Sequence, residues 1–461
     1  MLDRLFGLSE RRTTVGIELT GGLTTFMVMA YIIFVNPAIL SFSGIKGLEG
    51  QGPPFASTLA ATCLVAGLLS IAMGVVANYP LAVASGMGLN AVVAFQLVAG
   101  MKLPWQAAMG VVFLEGVAIT LLVLTGFREV IMDAIPLALK QAISVGIGLF
   151  ILFIGLVSGG FVKPGPPGIP VTLGDLTTAP VVVAVVGLLM TLWLQAARVR
   201  GALLIGILLT ALLAIAVNAA TGGQAFPTPG QAVIPPKIWA LPDLSTLGAG
   251  LNVEVFWRVG VVAAAVTIFS IMLSDFFDTM GTVIGIGGEA GWLDRDGKLP
   301  RLHRVLLVDS LAAVAGGAAG ASSATTYIES AAGVSEGAKT GLASVFTGFC
   351  FLLALFVAPL AGVVPPQATA PALVVVGYLM CKIVREIPFG ELEEGFPALL
   401  TMTVMPFTYS ITNGIGAGFV AYSFVKLVRG KATQVHPMMY GATLAFLVYF
   451  ALPWLRPLLG F

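Results

Sequence analysis

Six carboxylates occupy places where a carboxylate is costly. Glu18, Glu115, Asp275, Asp278, Asp309 and Glu329 fall within long apolar runs, with almost no basic residue at similar depth. A charged acid facing lipid near a bilayer centre costs about 2.5 kcal/mol or more. Without Lys or Arg to pair with, such groups must hold protons, face water, or bind something that donates hydrogen bonds or carries positive charge. That chemistry is proton or cation coupling and the holding of a donor-edged ligand.

The acids differ in what surrounds them. Asp275 and Asp278 stand at i and i+3 in Ser274-Asp-Phe-Phe-Asp-Thr-Met-Gly281, a spacing that puts both on one helix face. Two carboxylates that close resist double ionisation, so one of them is expected to exchange a proton. The alternative is structural, with one Asp bonding a nearby Ser or Thr. Glu329 lies in a small-residue segment beside Thr326 and Tyr327, whose ring could stack on a flat ligand. Asp309 is expected to hydrogen-bond across to the run before or after its own, as support, coupling or direct contact. Glu18 opens the first run, where the helix dipole favours an acid, and reads as structural. Glu115 is given no role beyond an interhelical bond.

The elements that position these groups are membrane spans. Of 461 residues 58% are hydrophobic and 10% charged, whereas soluble domains are about one quarter charged. Apolar runs long enough to span a bilayer fall at 17–40, 56–77, 81–98, 105–125, 141–160, 180–197 and 202–220. After a Pro- and Gly-rich stretch they resume at 258–286, 304–320, 321–338, 342–363, 368–384, 396–427 and 436–455. The net charge of +1 offers no nucleic-acid footprint, and Cys63, Cys350 and Cys381 have neither metal-ligand spacing nor a disulfide framework. The polar residues 1–16 lack a cleavage pattern, so the first run is expected to be retained.

Positive charge sets the orientation. Arg4, Arg11 and Arg12 place the N-terminus in the cytoplasm, and alternation puts Arg128 with Lys140, Arg198 with Arg200, and Arg295, Lys298, Arg301 and Arg304 on that side. The Pro-rich loops 161–179 and 221–256 then fall outside. Counting 396–427 as one span would put Lys426, Arg429 and Lys431 outside too. A break at Pro406 or in the Gly414/Gly416/Gly418 series would make a hairpin and return them, leaving 436–455 as an extra or surface-lying helix.

An odd number of spans per half inverts the second half relative to the first, as in many secondary transporters. The expected counterpart is a pair of interrupted helices at matching places. Pro80-Leu-Ala-Val-Ala-Ser-Gly-Met-Gly-Leu-Asn90 and Gly320-Ala-Ser-Ser-Ala-Thr-Thr-Tyr-Ile-Glu-Ser330 are both third in their half and rich in small residues. Unwound backbone is tolerated at membrane depth only where it is buried or lines a cavity. Close packing through small-xxx-small contacts is the alternative, but packing alone would not need Asn90 and Glu329. Asn36 and Asn90 are also separated by the same interval as Asp275 and Glu329, as an inverted repeat would allow, and chance would allow it too.

Thr325-Thr-Tyr-Ile-Glu329 and Ser274-Asp-Phe-Phe-Asp278, with Gly22-Leu-Thr-Thr-Phe-Met-Val-Met-Ala-Tyr31, Gly86-Met-Gly-Leu-Asn90 and Ser410-Ile-Thr-Asn-Gly414, resemble the nucleobase-ascorbate transporters, in particular the AzgA-like branch of adenine, guanine and hypoxanthine permeases. The resemblance implies an all-α membrane fold of about 14 segments in two inverted seven-helix repeats, 17–220 and 258–461, joined by an outer loop at 221–257. It further implies a core domain (17–126 with 258–363), a gate domain (141–220 with 368–455), and short extended segments in helices three and ten. Nucleobase contact is carried onto Glu329 and Asp275, with Asn90 as a further contact and Asp278 nearby. The family's uracil and xanthine carriers often have a histidine or glutamate on helix eight, where this chain has two aspartates. That departure favours purines.

The chemistry is compatible, since a purine is flat, neutral and edged with N–H donors that carboxylates accept, while Asn90 both donates and accepts. The expectation is therefore a proton-coupled purine nucleobase importer of the plasma membrane working by alternating access. Its substrate contacts would be Glu329, Asp275, Asn90, Tyr327 and Thr326, with Asp278 and Asp309 in coupling or support. Its partners would be the base, a proton or another cation, and the bilayer, with a homodimer as the candidate assembly and no cofactor, metal or nucleic acid. The rivals are a sulfate or bicarbonate carrier of the same architecture, a carrier of xanthine or uracil, and an ion channel. An enzyme is disfavoured because His303 and His436 lie in charged loops without a nucleophile.

Overall fold

A computed structural model describes residues 2–43, 45, 47–126, 134–227, 231–234, 237–293, 299–357, 359–360 and 363–459. Arg128, Arg295 and Lys298, used above for orientation, lie outside the described residues. In the first half the chain forms α1 (Val15–Leu40), α2 (Phe55–Val76), β1 (Val83–Ser85), α3 (Met87–Gly100), α4 (Trp105–Thr125) and α5 (Leu137–Ser158). A small outer hairpin, β2 (Val162–Pro164) with β3 (Val171–Leu173), precedes α6 (Ala179–Ala196) and α7 (Ala202–Ala220). The second half repeats the order with α8 (Val261–Glu289), α9 (Leu302–Ala319), β4 (Ala324–Thr326), α10 (Ser330–Ser335), α11 (Gly341–Ala354), α12 (Pro366–Glu386), α13 (Leu392–Thr408) and α14 (Ile411–Val428). A further helix, α15 (Pro437–Leu459), follows.

The third element of each half is interrupted as its small residues imply. β1 and β4 pair antiparallel, with Val83 opposite Thr326, Ala84 opposite Thr325 and Ser85 opposite Ala324. Each unwound segment thus supplies hydrogen-bond partners for the other, which is the condition for leaving a helix inside a membrane. The Gly86 N–H donates to Ser323 O at 2.8 Å and the Tyr327 N–H to Ala82 O at 3.0 Å, extending the ladder at both ends.

Helices of one group meet backbone to backbone. A Cβ at Gly74 would collide with the Gly341 carbonyl oxygen, and one at Gly348 with that of Gly67, so α2 and α11 touch through paired glycines seven residues apart on each helix. Gly116 and Gly317 bring α4 and α9 comparably close, each facing the other helix's backbone, at Val314 and Phe113 respectively. α1 joins this group by packing on α11, and α12 packs on α5 and α6 in a second group with α7, α13 and α14. Glu18 is fully buried at the start of α1 and accepts hydrogen bonds from Thr13 Oγ1 (2.9 Å) and from the Lys339 and Thr340 N–H groups (2.9 and 3.2 Å). It therefore ties α1 to the α10–α11 turn, the structural role its position suggested.

The run 396–427 does break. The break falls at Tyr409 (φ 50°) and Ser410, whose side chain caps α14 by accepting from the Asn413 N–H. Pro406 lies within α13 and the glycine series within α14, where Gly414 and Gly418 pack against Met405 and Thr401 of α13. The hairpin brings Lys426, Arg429 and Lys431 onto Glu393 at the start of α13, with ion pairs of 2.8, 3.1 and 2.6 Å. The three cations thereby sit beside the acid that opens the hairpin. The last helix packs on α14 and α8 through Phe446, which contacts Phe419 and Phe269.

Paired glycines predict an asymmetric response to bulk. Gly74→Leu is expected to separate α2 from α11 and destabilise the protein by about 1–3 kcal/mol or more. Gly441→Leu, on α15 with no heavy atom near its Cβ direction, is expected to be neutral, and thermal unfolding of both variants in detergent checks the contrast.

Candidate functional site

The crossing of β1 and β4 gathers polar side chains. Ser70 Oγ bridges the Val83 N–H and carbonyl (2.9 and 3.1 Å), Ser85 Oγ donates to Ala321 O (2.7 Å), and Asn36 Nδ2 donates to Thr62 Oγ1 and Ala321 O (2.6 and 3.1 Å). These bonds satisfy backbone that leaves the helical pattern, at depths where water is scarce. Asp309 completes the set from α9. Its carboxylate accepts from Thr279 Oγ1 on α8 (2.7 Å) and from the Thr326 N–H and hydroxyl (both 2.8 Å). Asp309 thus bonds both neighbouring elements and fixes β4 against α8. Thr326 is buried, with its N–H and hydroxyl both on that carboxylate.

Glu329 stands where β4 gives way to α10. Its carboxylate accepts a 2.7 Å hydrogen bond from the Tyr31 hydroxyl, and it remains partly exposed. Asp278 of α8 is also partly exposed, with Glu329 and Asp309 as the acids in its neighbourhood. The Tyr327 hydroxyl bonds the Ser85 carbonyl and lies near that of Tyr31. Tyr31, Tyr327, Asp278 and Glu329 therefore form one constellation contributed by α1, α8 and the β4–α10 junction.

Asp275 is placed differently from its partner on α8. It is fully enclosed, and its carboxyl adjoins that of Glu115 of α4. Side chains at i and i+3 are rotated by roughly 60° around a helix, and here Asp275 is enclosed while Asp278 keeps exposed surface. Glu115, set aside in the sequence reading, is also fully enclosed and adjoins Ser323 as well as Asp275. Asn90 opens α3 in full burial, with neither amide atom hydrogen-bonded among the described residues.

The surroundings of the constellation differ on its two sides. On the side away from the N-terminus, Tyr409 makes ring contacts at 5.5–5.6 Å with Phe95 of α3 and with Phe150 and Phe153 of α5, closing the space between the two helix groups. The Gln96 amide also donates to Thr412 Oγ1 at 2.6 Å across the same gap. Beyond the rings lies a cavity of about 350 Å³ lined by Ile45, Leu48, Ile154, Val157 and the rings of Phe95 and Tyr409. Toward the N-terminal side, α8 presents Gly281 and Gly285, both exposed, and Ile328 next to Glu329 is 51% exposed. A Cβ at Gly281 would meet no atom within 4 Å.

Sequence reasoning missed Tyr31 as a contact of Glu329. The available signal was its position as the one tyrosine in the first apolar run, at the bend between Ala30 and Ile32. Among the described residues no group of three or more His, Cys, Asp or Glu is arranged to hold a metal ion.

This architecture and sequence have relatives. The guanine/hypoxanthine permease PbuG of Bacillus subtilis is 41% identical over 97% of this chain and 99% of its own length. The adenine permease AdeP of Escherichia coli is 38% identical over 97% and 95%. Among solved structures, the transmembrane domain of a cyanobacterial bicarbonate transporter, BicA, superposes with a TM-score of 0.60 at 15% identity, covering 87% of this chain and 96% of that one. The murine anion transporter Slc26a9 in its inward-facing state gives 0.61 at 13%, covering 90% and 68%. These two share the inverted-repeat fold of core and gate. A model described as a permease family matches residues 16–416, and the chain belongs to that family, the nucleobase-ascorbate transporters, as a multi-pass membrane permease and not an enzyme.

Proposed function

We propose that this permease takes up purine nucleobases with protons across the plasma membrane, its N-terminus cytoplasmic, by alternating access. The observation that carries the reading is the pair of half-buried carboxylates, Glu329 and Asp278, at the crossing of the two unwound segments with the Tyr31 hydroxyl on one of them. Paired acceptors match the adjacent N–H donors on a purine edge, and each charge-assisted bond contributes about 1.5–3 kcal/mol. Relatives at 38–41% identity carry the names of guanine/hypoxanthine and adenine permeases, which favours this ligand class. The anion carriers of similar fold are related only at 13–15% identity, and acids at the crossing suit an anion poorly.

Within this reading Asp278, which keeps exposed surface where Asp275 is enclosed, takes the contact on helix eight in place of Asp275. Asp275 is assigned to the layer behind it with Glu115, and Asn90 to the same enclosed layer on the α3 side. Tyr327 and Thr326 hold the shape of the β4 segment. Bringing two like charges together at this depth is costly, so entry of a proton with the base relieves the pair. Movement of the core then trades the ring closure at Tyr409 for closure on the Gly281–Gly285 side.

Uptake of radiolabelled hypoxanthine in a transport-deficient host tests the site. Glu329→Gln and Asp278→Asn are each expected to weaken apparent affinity by about tenfold or more, and full uptake by both would overturn the assignment. Tyr31→Phe is expected to raise KM severalfold while expression stays normal; an unchanged KM would remove Tyr31 from the site. Coupling is read in vesicles, where an imposed proton gradient should drive accumulation that a protonophore abolishes. Accumulation that follows a sodium gradient instead would defeat the proton assignment.

A further inference from the structure

On the N-terminal face, away from the site above, a cavity of about 480 Å³ is lined by Arg11, Arg301 and Lys339 together with the rings of Tyr79 and Trp292. Its walls come from four places in the chain: the segment before α1, the end of α2, residues 290–292 with 300–301 between α8 and α9, and the α10–α11 turn. The construction is held by hydrogen bonds. Arg11 Nη1 donates to the Asn78 and Lys339 carbonyls at 2.9 and 2.6 Å, and the Tyr79 hydroxyl donates to Pro300 O at 2.8 Å. The Arg11 guanidinium lies 5.3 Å from the Tyr79 ring centroid, and the Tyr79 and Trp292 rings are 5.3 Å apart. Arg301 takes a left-handed backbone conformation (φ 59°) at the entrance to α9.

Among the described residues none of these three cations makes an ion pair with an acid, a condition they share with Arg4, Arg12, Arg198 and Arg304 among others; what sets them apart is that they line one cavity together. A topological preference for positive charge on one side accounts for the presence of Lys and Arg there. It does not account for three of them converging on one concave site with two rings. A second, apolar hollow adjoins it, sharing Trp292 and Lys339 and continuing along Ala331, Val334 and Ala338.

We infer that this cavity is a binding site for a phosphate-bearing anion, separate from the transport site. Arg and Lys side chains at a concave surface donate several charge-assisted hydrogen bonds to phosphate oxygens. The rings and the apolar hollow accommodate whatever the phosphate is attached to. Because the site joins the ends of α2, α8, α9 and α10, its occupant would brace the helix group that carries Asp278 and Glu329. Two sources share the chemistry, a soluble phosphate compound and the headgroup of an anionic phospholipid.

Thermal unfolding of the full-length purified protein separates them. One arm titrates inorganic phosphate in detergent against sodium chloride of equal ionic strength. The other compares nanodiscs of phosphatidylcholine with and without phosphatidylglycerol. A saturable rise in melting temperature in either arm is expected, with Arg301→Asn and Lys339→Gln each weakening it by about tenfold. Asn tolerates the left-handed backbone at that position, and Lys339 is exposed, so both variants should melt like wild type without anion. If Arg301→Asn fails to fold, Lys339→Gln alone decides. A response only to phosphate assigns a soluble ligand, and one only to phosphatidylglycerol assigns the headgroup. No shift beyond chloride in either arm, or a wild-type response from the variants, overturns the site.

Discussion

Everything at the centre of this molecule rests on two short strands that pair with each other where two helices are broken. Their N–H and C=O groups have no helical partner, and lipid would offer none. The structure meets the demand with a ladder from Ala82 to Gly86 against Ser323 to Tyr327, and with Ser70, Ser85, Asn36 and Asp309 at its margins. The polar layer that satisfies the backbone also supplies the setting for Glu329 and Asp278. Support and ligand contact are therefore neighbours: Asp309 pins the strand, and the acids that project past it are left with exposed surface.

The alternating access proposed above would need a rigid mover and a surface that can part. Close backbone contacts at glycines would make the first, because they leave little room for relative motion of α2 and α11, which meet glycine to glycine, or of α4 and α9, where each glycine meets the other helix's backbone. The ring cluster around Tyr409 and the single Gln96–Thr412 hydrogen bond make the second, since offset and edge-on rings separate without leaving buried charges unpaired. The surface ion pair between Arg200 of the α6–α7 turn and Glu336 beyond α10 also spans the groups, and exposed pairs of this kind contribute little and exchange readily.

Charge outside the apolar layer is organised with equal care. Glu393 gathers Lys426, Arg429 and Lys431 and locks the α13–α14 hairpin, while Glu18 locks α1 to the α10–α11 turn. Arg11, Arg301 and Lys339 instead line a single cavity on the N-terminal face.

Much of the fold was legible in the residues. Run lengths gave the spans, and the small-residue segments at 80–90 and 320–330 marked both interruptions, because local composition alone decides whether a helix can face lipid. The clash between positive charge and an unbroken 396–427 run called for a hairpin, and a hairpin is there. Its hinge is Tyr409–Ser410 and not the proline or the glycines, since Pro406 and Gly414 sit at contacts between the two helices that only packing creates. The membership of the site was the part sequence could not settle. Spacing placed Asp275 and Asp278 on one face of α8, but a rotation of roughly 60° separates a carboxyl enclosed beside Glu115 from one that keeps exposed surface. Tyr31 reaches Glu329 from almost three hundred residues away along the chain. The sequence by itself determined that acids lie inside the membrane beside broken helices. Which acids reach the exposed surface, and which stay behind it, depended on how α1, α4 and α8 pack around the crossing.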